Sequence, residues 1–166
     1  MTQTELDGLL ALVLEQARSL RIPVSPHILP RVTVNRRAKS RFGCCRHEGD
    51  SCRIEVSSFV LPAGRDTVLE VLAHEILHTC PGCSNHGPLW KSWADRMNRA
   101  FGYRIRRTHA REELGVAPAS PRWMVVCLRC GRETPRMKRS PVVDHPERYR
   151  CTCGGALSVR SVSPPR

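Results

Sequence analysis

One helical stretch of the chain places two histidines and a glutamate in otherwise apolar surroundings. His74 and His78 are four residues apart, and Glu75 follows the first of them. In an α-helix this spacing stacks the two imidazoles on one face with Cβ atoms about 5–6 Å apart, so both can reach one zinc ion. Glu75 lies about 100° further round the helix, where it can take a proton from a zinc-bound water without being a ligand. The motif predicts a metallohydrolase site.

The apolar residues around the motif predict a helix packed on most of its sides. An unpaired polar trio in such a helix would cost about 1–3 kcal/mol per unsatisfied group, whereas a metal ion would give all three side chains a role. Asp66 is the predicted N-cap of the helix. The apolar positions are Val68, Leu69, Val71, Leu72, Ala73, Ile76 and Leu77.

His86 is the predicted third ligand, because catalytic zinc sites usually have three protein ligands and a water. A turn at Pro81-Gly82 separates the motif from a second helix, which Asn85 or His86 caps and whose first turn accepts Pro88. An apolar stripe docks that helix against the first and returns His86 to the metal. The stripe consists of Leu89, Trp90, Trp93, Met97, Ala100 and Phe101. The weaker candidates for the third ligand are Glu70, Cys80 and Cys83.

These motifs resemble those of the SprT-like (Spartan-type) family of zinc metalloproteases. The resemblance rests on His74-Glu-Ile-Leu-His78, on His86-Gly-Pro followed by Trp90, and on a cysteine-bearing C-terminal segment, and it spans about residues 31–157. Upstream, the run 41–44 (Arg-Phe-Gly-Cys) is similar to the family's Arg-aromatic-Gly-x-Cys strand. The resemblance implies a small zincin-like protease domain, with His74, His78 and His86 as zinc ligands and Glu75 as catalytic acid/base. It also implies DNA-dependent cleavage of proteins bound or crosslinked to DNA.

The residues before the motif predict one helix and a small sheet. A capping box at 2–5 opens an amphipathic helix of about 18 residues that ends before Pro23. Strands are predicted at 31–35, 39–45 and 52–57, with the polar segment 46–51 as the turn between the last two. One edge of this sheet could pair with an extended substrate.

Two cysteine pairs near the C-terminus predict a zinc ribbon. Cys127 and Cys130 form a Cys-x-x-Cys pair, and Cys151 and Cys153 form a Cys-x-Cys pair. Four thiolates would close a tetrahedral structural site, which a segment of about 40 residues needs because its core is small. The second pair is one residue shorter than the family's usual spacing, so His145 is an alternative for one of its members.

The charge distribution predicts a polyanionic partner, nucleic acid before anionic membrane. Residues 104–166 contain 14 Lys+Arg and 5 Asp+Glu, a net charge of +9 out of +12 for the chain. Tyr103, Trp123 and Tyr149 could add base stacking if exposed; Tyr103 could instead stabilise an oxyanion, although packing is the favoured interpretation. The predicted nucleic-acid contacts are Arg104, Arg106, Arg107, Arg132, Arg136, Lys138, Arg139, Arg148 and Arg150.

Five further cysteines have no assigned ligand role. Buried cysteine usually behaves as a small apolar residue, which is the favoured interpretation here. Cys80 and Cys83 could nevertheless join hairpin cysteines in another metal site or act as a redox brake. The five are Cys44, Cys45, Cys52, Cys80 and Cys83.

Together these features predict an α+β chain with two zinc ions, one catalytic and one structural. A metalloprotease domain is predicted at 1–113, a linker at 114–121, the ribbon at 122–160 and a disordered tail at 161–166. Nine cysteines, no signal-like segment and no apolar run of membrane-spanning length predict a cytoplasmic protein, nucleoid-associated if bound to DNA. The expected partners are a protein substrate and DNA. The rival interpretation is a non-proteolytic nucleic-acid-binding adaptor with a structural metal centre, but such a centre has no need of a base at Glu75.

Overall fold

The computed structural model describes residues 1–108, 112, 115 and 121–162. It divides the chain into two compact units, residues 1–117 and 118–166. Both contain helices and a small sheet, so the predicted α+β class is confirmed. Most of the predicted linker and residues 163–166 of the predicted tail lie outside the described residues. Ser161, which was assigned to that tail, is the last residue of a strand.

Helix α1 (Gln3–Ser19) forms where the capping box predicts it. The Thr2 side chain accepts a hydrogen bond from the Glu5 N–H, and the Glu5 carboxylate accepts one from the Thr2 N–H. Its apolar face is buried in the main core of the first unit and contacts the motif helix. The buried residues are Leu6, Leu9, Leu10, Val13, Leu14 and Ala17.

The first sheet has three strands, β1 (Thr33–Asn35), β2 (Gly43–Glu48) and β3 (Ser51–Ser57). Their order is β1-β3-β2, with β1 parallel and β2 antiparallel to the central β3. The prediction that residues 46–51 form the turn was wrong, because Glu48 pairs with Ser51 and only Gly49 and Asp50 remain between the strands. Gly49 has φ +58°, as tight hairpin turns require. The polar residues suggested a turn, but the last three residues of β2 are polar because they are exposed within the strand.

Helix α2 (Arg65–Leu77) carries the motif and is buried on most of its sides, as predicted. It begins after Gly64, which has φ +97°, and no side chain caps it. The expectation of a cap at Asp66 was therefore wrong: Asp66 lies in the first turn, where its charge favours the helix dipole. His78 is the C-cap residue and keeps a right-handed helical conformation, so the four-residue spacing to His74 remains helical.

Helix α3 (Pro88–Phe101) follows a turn and starts with Pro88 at its first position, as predicted. Its N-cap is Gly87 rather than Asn85 or His86, although the Asn85 side chain accepts a hydrogen bond from the Gly87 N–H at 2.9 Å. The buried face consists of Trp90, Ala94 and Met97, with Trp93 and Phe101 packed beside the core. Leu89 and Ala100, predicted in the stripe, are exposed.

The second unit is a separate antiparallel sheet with a short helix. Strands β4 (Trp123–Cys127), β5 (Glu133–Arg136) and β6 (Leu157–Ser161) have the order β5-β4-β6. Helix α4 (Pro141–Asp144) and a 3₁₀ turn (Pro146–Arg148) fill the segment between β5 and β6. Within the described ranges of the whole chain, no helix has the length and apolar character that crossing a membrane demands.

Candidate metal centre

Three histidines from two helices and the turn between them converge on one point. His74 lies on α2, His78 caps its end, and His86 precedes α3. Their Nε2 atoms form a triangle with sides of 3.4 Å (His74–His78), 3.2 Å (His78–His86) and 3.0 Å (His74–His86). Nitrogens bonded to a tetrahedral zinc ion at about 2.0–2.1 Å are about 3.3–3.4 Å apart. The triangle therefore fits a single zinc ion with a fourth position open.

Backbone carbonyls orient two of these imidazoles. His74 Nδ1 lies 3.0 Å from the Arg106 carbonyl oxygen, and His78 Nδ1 lies 2.8 Å from the Cys83 carbonyl oxygen. Each Nδ1–H donates to its carbonyl, which leaves the Nε2 lone pair free to bind a metal ion. Burial, aided by the charge of His78, lowers the pKa of His86. A lowered pKa favours the neutral imidazole that binds metals.

Trp90 forms the floor under the three imidazoles. Its ring centroid lies 4.8 Å from that of His74, 5.7 Å from that of His78 and 4.5 Å from that of His86. The indole is almost completely buried. The apolar spacing of α3 predicted that Trp90 packs inward, but contact with all three ligands could not be read from spacing alone.

Glu75 lies beside the triangle in a buried position. Burial raises the pKa of its carboxyl to about 7, although a hydrogen bond from the Cys45 backbone N–H and the charge of Arg41 oppose that shift. A general base is most effective when its pKa is near the working pH. The carboxylate is thus held by strand β2 next to the position where a metal and its water would sit.

Gly43 allows β2 to approach this carboxylate. A Cβ atom at position 43 would lie 2.7 Å from Glu75 Cγ, 2.8 Å from Glu75 Oε1 and 2.9 Å from Val71 Cγ1. These distances leave no room for a side chain. Gly43 belongs to the motif that suggested the family, yet its role as a spacer for Glu75 was not evident from the sequence.

The histidines and Glu75 open onto a cleft of about 590 Å³. One wall is β2, which is an edge strand of the described sheet. The rest of the lining comes from the residues just before β2, from the motif helix, from the turn between α2 and α3, and from the segment after α3. The lining includes Gly43, Cys44, Cys45, His47, Arg107 and Thr108.

The weaker candidates for the third ligand are held by other partners in this unit. Glu70 also lines the cleft, but its Oε1 accepts hydrogen bonds from the Arg104 N–H and Nε–H at 3.2 and 3.3 Å. Cys80 and Cys83 are buried and hydrogen-bonded to each other, and burial raises the pKa of Cys80 to about 12. None of the three belongs to the histidine group among the described residues.

The second unit brings the four predicted ribbon cysteines together. Cys127 Sγ lies 3.5 Å from Cys153 Sγ, and Cys130 Sγ lies 3.7 Å from Cys151 Sγ. Sulfurs bonded to a tetrahedral zinc ion at about 2.3 Å are about 3.8 Å apart. The four sulfurs lie within 4.8 Å of one another, so they could hold a metal ion.

The short Cys-x-Cys pair reaches this group with the help of two glycines. Gly154 has φ +81°, and a Cβ on Gly155 would lie 2.7 Å from Cys127 Sγ. His145, the predicted alternative ligand, is not in the group; its Nδ1 is 3.5 Å from Glu147 Oε1. The geometry favours Cys153 over His145.

The predicted nucleic-acid contacts are mostly solvent-exposed arginines, but several have protein partners. Arg104 is paired with Glu70, and Arg139 is paired with Asp144 at 2.6 Å. Arg136 is half-buried. The remaining members are exposed; they are Arg106, Arg107, Arg132, Lys138, Arg148 and Arg150.

The three aromatic candidates for base stacking differ in exposure. Tyr103 is half-buried and its hydroxyl donates to Gln16 Oε1 at 2.6 Å, which agrees with a packing role. Trp123 is half-buried with the Arg139 guanidinium 5.7 Å from its ring centroid. Tyr149 is exposed. It is therefore the most accessible of the three.

Comparison with known proteins identifies the family of the first unit. The model of the SprT-like family matches residues 21–109, which include α2, α3 and all three histidines. The match ends before the four ribbon cysteines, whereas the resemblance seen in the sequence motifs extends to about residue 157. No curated protein matches this chain. Because the family model covers more than half of the 166 residues, the chain belongs to the SprT-like family.

Proposed function

We propose that this chain is a zinc-dependent metallopeptidase of the SprT type. The observation that carries the proposal is the triangle of His74, His78 and His86 Nε2 atoms beside the buried Glu75 carboxylate. The donor set suits zinc, which favours imidazole nitrogens and keeps an open position in catalytic sites. When bound, zinc supplies a Lewis acid that polarises a carbonyl and lowers the pKa of water.

Glu75 acts as general acid and base in this proposal. Its carboxylate accepts the proton of the attacking water and returns it to the amine that leaves. The Cys45 N–H fixes the carboxylate, and Gly43 lets the strand come close enough to make that hydrogen bond. Trp90 keeps the floor of the site apolar and excludes water from beneath the ligands.

The substrate in this proposal is an extended polypeptide that pairs with strand β2. This strand is the sheet edge that borders the cleft, and unpaired N–H and C=O groups of an edge can bind another strand. Main-chain pairing recognises any extended segment, so it would give little sequence selectivity. The expected substrates are therefore proteins with locally unfolded or flexible segments.

The test of the reaction is hydrolysis of a flexible protein by zinc-loaded chain, compared with Glu75→Gln. We expect the variant to keep its zinc, because Glu75 is not a ligand, and to lose about 10²-fold or more of the rate, as loss of a general base does. Glu15→Gln, the same change on the exposed face of α1, is the matched control. Cleavage by Glu75→Gln at the rate of the control would refute the mechanism.

DNA is the second proposed partner, and it would bring the enzyme to proteins bound or crosslinked to DNA. The support is the net charge of +9 over residues 104–166 together with exposed arginines and Tyr149 in the second unit. Each neutralised phosphate contributes a slope of about −0.9 on duplex DNA, or about −0.7 on single strands, in log affinity against log salt. The affinity should therefore fall steeply with salt.

The DNA proposal is tested by removing two charges from each unit in turn. We expect Arg132→Gln with Arg148→Gln to weaken binding and to make the salt slope shallower by up to about 1.8 on duplex DNA. Arg36→Gln with Arg37→Gln, two exposed arginines of the first unit, is the control with equal charge loss. If the salt slopes of DNA affinity are equal for the two double variants, the second unit is not the preferred DNA contact. DNA binding without proteolysis under any condition would favour the adaptor.

A further inference from the structure

The β2–β3 hairpin carries a third group of metal-binding side chains. Cys45 and His47 alternate along β2, so they project from the same face, and Cys52 on β3 lies directly opposite His47. His47 Nε2 is 3.8 Å from Cys45 Sγ, and His47 Nδ1 is 3.4 Å from Cys52 Sγ. One ligand atom from each residue lies within 4.8 Å of the others.

These separations are close to those of two thiolates and one imidazole around a single ion, although the two sulfurs lie nearest different nitrogens of His47. With Zn–S bonds of about 2.3 Å and Zn–N bonds of about 2.0–2.1 Å, a tetrahedral site separates sulfur from nitrogen by about 3.6 Å. An imidazole binds an ion through one nitrogen, so the His47 ring has to turn until the same nitrogen faces both sulfurs. The exposed ring of His47 can make that turn without loss of packing.

We propose that Cys45, His47 and Cys52 form a site for zinc or a similar thiolate-binding divalent metal, separate from the three-histidine and four-cysteine groups. Thiolate and imidazole donors select this class of ion over magnesium or calcium. Binding releases the protons of both thiols to solvent as the two metal–sulfur bonds form. Three protein ligands leave the fourth position to water or another ligand. The site does not depend on whether the chain is a peptidase.

The position of this site connects it to the cleft. Cys45 and His47 both line the cleft, and the Cys45 N–H donates to the Glu75 carboxylate. An ion held by Cys45 and Cys52 would link β2 to β3 next to that hydrogen bond. It would therefore stabilise the hairpin at the point where the strand holds Glu75.

Metal counting on the full chain tests this proposal. Protein kept reduced, saturated with zinc and freed of excess metal should contain three equivalents. His47→Ala should contain two, and this exposed residue can be replaced without disturbing the core. Cys44→Ala is the matched control, because Cys44 adjoins Cys45 but is not in the group, and it should keep three. A metal content in His47→Ala equal to that of the wild type, or the same loss in Cys44→Ala, would overturn the proposal.

Alkylation of the unmodified sequence gives an independent test. Zinc should protect Cys45 from an alkylating reagent and leave Cys44, in the same tryptic peptide 42–46, as reactive as before. Protection should disappear in His47→Ala. Equal labelling of Cys45 with and without zinc would contradict the site. So would a Cys45–Cys52 disulfide that forms in air as fast with zinc present from the start as without it, since thiolates bound to a metal ion should be protected from oxidation.

Discussion

Replacing Gly43 by alanine tests the close approach of β2 to Glu75. The new Cβ would lie 2.7 and 2.8 Å from Glu75 Cγ and Oε1 and 2.9 Å from Val71 Cγ1. Ordinary contacts begin near 3.4 Å, so the strand and the carboxylate must separate by about 0.6–0.7 Å. Overpacking of this kind costs about 1–3 kcal/mol. For a unit of this size, that lowers the unfolding temperature by about 4–12 °C.

The same displacement should reduce hydrolysis more than zinc binding. A reacting group misplaced by about 1 Å can lose about 10²-fold in rate, so we expect a loss of about 10- to 100-fold. Zinc at the three-histidine group should be retained, because β2 supplies none of its ligands. The assays are thermal unfolding, metal analysis and hydrolysis of a flexible protein.

Gly8→Ala is the matched control for this prediction. Gly8 is exposed within α1, and a Cβ there would meet no atom within 4 Å. Alanine in a helix interior stabilises by about 0.5–1 kcal/mol relative to glycine, so the two substitutions should have opposite signs. Wild-type stability and rate in Gly43→Ala would refute the spacer role and show that β2 can yield without moving Glu75.

Three further substitutions have separate expected outcomes. His86→Ala should lose one zinc equivalent and all hydrolysis; retention of that zinc would move the third ligand elsewhere. In Gly155→Ala the new Cβ would lie 2.7 Å from Cys127 Sγ. The four-cysteine group should therefore bind its metal more weakly and lose it to a chelator that leaves the wild type loaded. The same chelator titration for both proteins would contradict this. Tyr103→Phe removes the hydroxyl bonded to Gln16 and should cost about 0.5–1.5 kcal/mol of unfolding free energy. Its hydrolysis rate should not change, and a large rate loss would revive the oxyanion role.

The histidine triangle could be predicted because it depends mainly on local sequence. The spacing of His74 and His78 is a property of one helix, and the apolar stripe of α3 was enough to indicate that His86 returns to the same place. The buried Trp90 follows from the same stripe. Each of these features depends on periodicity within a single helix or on one short connection between two helices.

The contacts between elements could not be predicted in this way. The opposition of His47 and Cys52 depends on the register of two strands, and a polar edge strand gives little register information. Reading residues 46–51 as a turn removed His47 from the sheet and hid the hairpin group. The approach of Gly43 to Glu75 depends on how the sheet packs on α2, which the sequence of neither element specifies alone.

The burial of Trp90 against all three histidines makes the hydrophobic core and the metal centre one structural unit. A substitution that loosens α3 would shift the floor of the site and weaken zinc binding without touching a ligand. A metal ion held by the three histidines would in turn bind only the folded arrangement and would stabilise it by mass action. Selection for heat resistance in this chain would therefore also select for tighter metal retention, and the two properties should change together among random core variants.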